Sequence, residues 1–214
     1  MDSLNEEHDN ITHHGNLEDI AGKKALLRQD IKDIRYNMAI EAYETKSRKI
    51  FERVCNSPVF LSSNRVCCYV HKDATREVQT RDLLNNILVS KEKELIVPIT
   101  RVKEYRLDLS ILDDLSNLVP KTFNVLEPVV EELVPSSYMD CIIVPCLAVD
   151  IKGNRLGYGK GYYDRLLGTI PKTANIPIVA LAFEFQVMEN VPVTVQDVPV
   201  THIITETRFI TCQG

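Results

Sequence analysis

Four of the chain's eight glycines fall within nine residues, at Gly153, Gly157, Gly159 and Gly161. The run they belong to is Gly153-Asn-Arg-Leu-Gly-Tyr-Gly-Lys-Gly-Tyr-Tyr-Asp-Arg165. Glycine lets backbone N–H groups approach a ligand closely and take positive φ. Successive N–H groups in such a loop form an anion-binding concavity. Arg155 and Lys160 bring positive charge to the same place, and two tyrosines and an aspartate follow. The Tyr162-Tyr163-Asp164 stretch reads as the start of a helix, an end that favours phosphate. Two readings stand at this point: a polyphosphate cradle, or a tight structural turn with two exposed cations.

Neither common glycine signature applies. A P-loop needs Gly-Lys-Ser/Thr, and Lys160 is followed by Gly161. A dinucleotide fingerprint needs G-x-G-x-x-G, and position 162 is Tyr. Elsewhere, Lys24 and Arg28 are four apart, so they share one face of a helix. Taken alone, they read as a solvated basic face with Lys23, Lys32 and Arg35. Glu77 reads as an acid at a helix start, stabilised there by the dipole.

The elements that must position these groups follow from periodicity. Apolar residues recur at helical spacing from Leu17 to Met38, including Ile20, Ala21, Leu27, Ile31 and Ile34. A second helix is expected from about Ala39 to Val54, ended by Asn56-Ser57-Pro58. Buried strands are expected at Arg65–Val70, Leu95–Pro98, Cys141–Pro145, Ile178–Phe183 and His202–Thr205. A helix is expected over Glu77–Ser90, and another from the glycine loop to about Leu167. Region 99–136 reads as irregular, with a short strand near Tyr105. Strands that are continuously apolar are buried on both faces, and helices between them indicate a mainly parallel α/β sheet. Ligands then sit beyond the carboxyl ends of the strands. Glu77 after the first strand, the glycine loop after the third and Asp197 before the fifth all occupy that position.

The chain has 214 residues, 44% hydrophobic and 26% charged, with a net charge of −5. That is ordinary for one globular domain. Residues 1–20 carry six acids and no Lys or Arg, so the rest is near neutral. This balance excludes a general nucleic-acid binder. No apolar run reaches the length of a membrane span, so no membrane association is expected. The acidic start resembles neither a secretory signal nor a mitochondrial transit peptide, so a cytoplasmic location is expected. Residues 1–19 are expected to be a disordered leader, its His8, His13 and His14 solvated and not metal-binding. Residues 20–214 are expected to form a single domain. The six cysteines include no C-x-x-C pair and are expected to be reduced and structural.

With the motifs in place, Pro145–Asp150 and Gly153–Arg165 together resemble the signature of the 5-formyltetrahydrofolate cyclo-ligase family, also called 5,10-methenyltetrahydrofolate synthetases. Lys24-x-x-x-Arg28, Glu77-Val-Gln-Thr80, Ile96-Val-Pro98, Val198-Pro-Val and Ile203-Ile-Thr-Glu206 resemble further family motifs in order, over residues 20–208. The resemblance implies a Rossmann-like three-layer α/β/α sandwich, of the kind shared with sugar-phosphate isomerases and CoA-transferases. It implies an ATP- and Mg²⁺-dependent ring closure of 5-formyltetrahydrofolate, with or without a polyglutamate tail, by a monomer.

By the same resemblance, Lys24, Arg28 and the run Arg155, Leu156, Gly157, Tyr158, Gly159, Lys160, Gly161, Tyr162 and Tyr163 would bind ATP. Lys160, Arg155 and Tyr162 would be catalytic. Glu77, Val70, Tyr69 and Tyr162 would hold the folate, and Asp164 and Asp197 the Mg²⁺. Asp150 would organise the loop. The alternatives are a non-catalytic nucleotide- or folate-binding relative and a nucleotide-independent isomerase or transferase on the same fold.

Overall fold

The computed structural model describes the backbone of residues 3–213, and the side chains of residues 19–213 except Lys172. His8, His13 and His14 lie outside the residues whose side chains are described. The chain opens with α1 (Ser3–Tyr36), which starts within the acidic leader, then α2 (Ile40–Cys55) and the short α3 (Pro58–Leu61). The first parallel unit is β1 (Arg65–Cys68), α4 (Arg81–Ser90) and β2 (Glu94–Arg101). An antiparallel excursion follows: β3 (Arg106–Ile111), β4 (Leu118–Pro120), β5 (Leu126–Pro128) and β6 (Glu132–Val134). The chain returns through β7 (Cys141–Pro145), the β8 (Ala148–Asp150) and β9 (Arg155–Leu156) hairpin, and α5 (Tyr162–Gly168). It ends with β10 (Ile178–Leu181), β11 (Val187–Met188), β12 (His202–Ile204) and β13 (Phe209–Thr211).

Eight strands form the central sheet in the order β13-β12-β10-β7-β1-β2-β3-β6. The five central strands from β12 to β2 run parallel, and β13, β3 and β6 are antiparallel additions at the two edges. The expected mainly parallel α/β sheet is therefore present. Its strands are apolar throughout because successive side chains feed two different cores. Cys68, Val97, Ile143 and Leu181 pack with Tyr43, Ile50 and Val54 of α2 and Leu83, Leu84 and Ile87 of α4. Cys67, Ile96, Ile142, Val144 and Ala180 pack on the other face with Leu166 and Leu167 of α5. Each Val, Leu or Ile side chain among them contributes about 1.5–3 kcal/mol through burial. Two faces, each covered, give the three layers.

Several boundaries differ from expectation. Residues 77–80 are not helical; α4 begins at Arg81, so Glu77 is a loop residue and has no helix dipole beneath it. Region 99–136 is not irregular but carries β3 to β6, whose short antiparallel segments lack a long apolar run. Tyr105 sits in the β2–β3 turn with φ 52° and not in a strand. The largest difference concerns α1. Helix is correct, but Ile34 is half exposed, whereas Lys24, Ile31 and Arg35 are buried. The face that docks follows cations at positions 24, 28 and 35, not the apolar residues alone. Ile31 meets Leu147, Ala148, Leu156 and Val191, which seats α1 on the β8–β9 hairpin. All six cysteines are free thiols.

Candidate active site

A pocket of about 520 Å³ opens at the carboxyl end of the parallel strands. Lys24, Arg28 and the segment from Arg155 to Asp164 line one end. Val70, Glu77, Pro98, Thr100, Phe123 and Glu127 line the other, with Tyr162 and Tyr163 on the wall as well. The fold thus brings the expected site residues, separated by up to 173 positions, into a single cavity.

The glycine loop is shaped by its own hairpin and by α1. Asp150, 1% exposed, accepts backbone N–H groups from Lys152 (3.0 Å), Asn154 (3.1 Å) and Val191 (3.0 Å). It is the loop organiser that was expected. Gly159 and Gly161 take φ of +94° and +66°, conformations that side-chain-bearing residues seldom adopt. At Gly159 an added Cβ would lie 3.3 Å from the Arg28 guanidinium carbon. Arg28 Nε donates to the Gly157 carbonyl at 2.9 Å. The guanidinium therefore lies flat against the loop, not out in solvent.

Lys24, 8% exposed, pairs through Nζ with Asp197 Oδ2 at 2.5 Å. The same oxygen accepts the N–H and hydroxyl of Thr194. Partial burial pulls the Asp197 carboxyl upward, but the Lys24 ammonium and Thr194 outweigh it and hold its pKa below the usual carboxylate value. Arg35 is a correction to the solvated basic face: it is 1% exposed. It donates to the carbonyls of Arg76 and Thr75 and to the Tyr158 hydroxyl. Burial, with the nearby Glu77 carboxylate adding to it, raises the Tyr158 phenol pKa far above normal. Glu77 accepts the Lys72 N–H at 2.7 Å.

Arg155 departs from the expectation of a phosphate-gripping cation. It is 5% exposed, donates to Asp164 Oδ1 at 2.9 Å and to the Pro145 carbonyl at 3.3 Å, and stacks over Tyr163. Both terminal nitrogens are thus engaged inside the protein, while its Nε is enclosed without a partner among the described residues. Lys160 is the opposite. It is exposed, and its ammonium has no hydrogen-bond or ion-pair partner among the described residues. Asp164 and Asp197 are brought together, since the N–H of Val198 reaches Asp164 Oδ1 at 3.4 Å. Each keeps one carboxylate oxygen without a hydrogen-bond donor among the described residues. No cluster of three or more His, Cys, Asp or Glu occurs among those residues.

At the other end Tyr69 donates its hydroxyl to the Val78 carbonyl at 2.8 Å, so only its ring faces the cavity. Phe123, assigned no role from sequence, lies 6.3 Å from Tyr162, the two rings tilted by 57°. Phe123 and Asn124 both have φ above 50°, and Lys72 Nζ holds the Phe123 carbonyl at 2.6 Å. Consecutive left-handed residues without glycine cost of order 1–3 kcal/mol each and collect at ligand sites. Phe123 and Glu127 escaped the sequence reading because they sit in a left-handed turn and a three-residue strand, where no periodicity can show; Thr100 lies near the end of β2, beyond the apolar run that marked the strand.

A Rossmann-like α/β sandwich with a cation-lined glycine loop and an aromatic, acidic chamber sharing one cavity is the architecture of an α/β enzyme. The family model for the 5-formyltetrahydrofolate cyclo-ligase family matches residues 20–206, and the chain belongs to that family. The Haemophilus influenzae 5-formyltetrahydrofolate cyclo-ligase is 29% identical, covering 85% of this chain and 97% of that protein. The mouse protein of the same name is 28% identical, covering 86% and 93%. The solution structure of Aquifex aeolicus 5,10-methenyltetrahydrofolate synthetase superposes with a TM-score of 0.77 at 34% identity, over 89% of this chain and 93% of that one. The resemblance carried by the motifs, and the expectation of a family enzyme, are borne out. No helix among the described residues is long and apolar enough to cross a membrane.

Proposed function

We propose that the protein closes 5-formyltetrahydrofolate to 5,10-methenyltetrahydrofolate at the cost of ATP. One observation carries this: a single cavity joins a glycine loop, whose Lys160 is exposed and unpaired among the described residues, to an aromatic chamber containing Glu77. The triphosphate lies along residues 157–161, gripped by Lys160 and ordered by Lys24 and Arg28. The reduced pterin lies between Tyr162, Tyr163 and Phe123, near Glu77 and Val70. The formyl oxygen attacks the γ-phosphorus and ADP leaves. The nitrogen at position 10 then attacks the formyl carbon, loses its proton, and phosphate departs with the former formyl oxygen.

Phosphoryl transfer asks the protein chiefly for position and charge. Lys160 neutralises charge on the transferring group. Arg155 acts here by orienting Asp164 and Tyr163, and Tyr162 separates the two substrates. The free oxygens of Asp164 and Asp197 suit Mg²⁺, which takes one or two carboxylates plus phosphate oxygens and waters. When bound, the ion would neutralise and orient the phosphates. We propose further that the enzyme is a cytoplasmic monomer with residues 1–19 outside its working domain.

The test mixes pure protein with 5-formyltetrahydrofolate, ATP and Mg²⁺ and follows methenyl absorbance. Turnover that requires ATP supports the reading and separates it from a nucleotide-independent isomerase. Absence of turnover with both ligands bound would leave a non-catalytic binding relative.

A further inference from the structure

Glu127 is 2% exposed, yet it lines the pocket and has no cationic partner among the described residues. It sits on β5, in register with Val119 of β4, between residues that contribute no charge. One oxygen, Oε1, accepts the Thr100 N–H at 3.0 Å. Its other oxygen accepts no hydrogen bond from the described residues. It is not sealed away either, because the one enclosed side-chain polar atom without a partner among those residues is Arg155 Nε. That oxygen therefore faces the cavity. Burying a carboxylate without a cation is costly unless donors satisfy it, and the protein supplies only one. The remaining donors must come from whatever fills the chamber.

The surroundings narrow the ligand. Pro98, Leu107 and Val125 make the neighbouring wall apolar, while Phe123 and Tyr162 offer ring faces. A carboxylate at the edge of a flat, aromatic-walled slot recognises a planar heterocycle that presents adjacent N–H donors. Such paired, charge-assisted contacts are short and directional. We infer that Glu127 is a specificity residue for the 2-amino-4-oxopyrimidine edge of the pterin, accepting from its ring N–H and exocyclic amine. This rests on the cyclo-ligase reading and deepens it. Glu77 is then left for the nitrogen at position 10.

The experiment compares 5-formyltetrahydrofolate with its 2-desamino-2-methyl analogue in wild type, Glu127→Ala and Glu127→Gln, by methenyl absorbance. A hydrogen bond to a charged group is worth about 1.5–3 kcal/mol, roughly 10- to 150-fold at 1.4 kcal/mol per decade. Glu127→Ala should raise the folate KM by about that factor, with kcat and the ATP KM nearly unchanged. The analogue should be poorer than the natural substrate in wild type but equally poor with it in Glu127→Ala. Glu127→Gln keeps an acceptor for Thr100, so it folds if the alanine variant does not, and it should lose most of the discrimination. Undiminished discrimination in either folded variant overturns the inference while leaving the cyclo-ligase reading intact. Wild type that turns over neither substrate overturns that reading, and the inference with it.

Discussion

Gly159→Ala tests the loop with a single methyl group. At φ +94° a β-carbon is strained in any surroundings, at a cost of about 1–3 kcal/mol. It would also press on Arg28, whose Cζ and Nε lie 3.3 and 3.4 Å from the ideal Cβ position. Shifting that guanidinium weakens its 2.9 Å bond to the Gly157 carbonyl, an interaction worth roughly 1 kcal/mol or more. The total is about 2–4 kcal/mol. At about 2–4 °C per kcal/mol for a chain of this size, the melting temperature should fall by roughly 5–15 °C. Displacing the loop by even a fraction of an ångström should also lower kcat/KM for ATP, up to roughly a hundredfold. Gly22→Ala is the control. It lies in α1 with nothing within 4 Å of an added Cβ, so it should be neutral or stabilising by about 0.5–1 kcal/mol. Thermal melts and the methenyl assay read both variants. A Gly159→Ala protein that melts with wild type and keeps its ATP kinetics would refute the placement of the loop against Arg28.

Lys160→Ala should leave the melting temperature within about 1 °C, because the ammonium has no partner to lose among the described residues, but cut ATP-dependent turnover by at least about a hundredfold. Lys24→Ala should differ by destabilising the fold as well, by up to about 3 kcal/mol in denaturant titration, because Asp197 loses its cation. Arg35→Ala should cost about 3–5 kcal/mol, since three hydrogen bonds of a fully buried guanidinium go at once. Asp197 has a depressed pKa, so its contribution to stability is complete above its unfolded value of about 3.9 and is lost as pH falls through the lower folded value. Melts between about pH 6 and pH 3 should show the gap between wild type and Asp197→Asn closing toward the acid end; a gap constant with pH would contradict the pairing.

Much of the site was legible because it lies on one contiguous run. Gly153–Asp164 announces a loop by composition alone, and the structure lines the pocket with Arg155–Asp164 while Gly153 turns the β8–β9 hairpin. The parallel sheet was legible for a similar local reason: Cys141–Pro145 and Ile178–Leu181 are apolar without alternation, and both are buried on two faces. The chamber opposite the loop was not legible. Phe123 and Glu127 belong to three-residue strands and left-handed turns, where neither a 2-residue nor a 3.6-residue period has room to appear. Nor could spacing alone say whether Arg155 would reach outward or inward. That depended on Asp164 being close enough to hold it.

Helix α1 explains why the cations near the loop are not interchangeable. Lys24, Arg28, Ile31 and Arg35 follow one another at intervals of four, three and four, so they form one stripe along the helix. Each meets a different part of the site: Asp197, the Gly157 carbonyl, the β8–β9 core, and then Tyr158 with the Thr75–Arg76 turn. Three positive charges are thus fixed by protein acceptors before any ligand arrives. Their side-chain entropy is spent on folding, so it is not charged again on binding. Lys160, on the same loop but facing solvent, is the cation left free to move with a transferring phosphoryl group. A substitution on the stripe should therefore register first in stability, and one at Lys160 first in turnover. That division follows from which acceptors each cation has found.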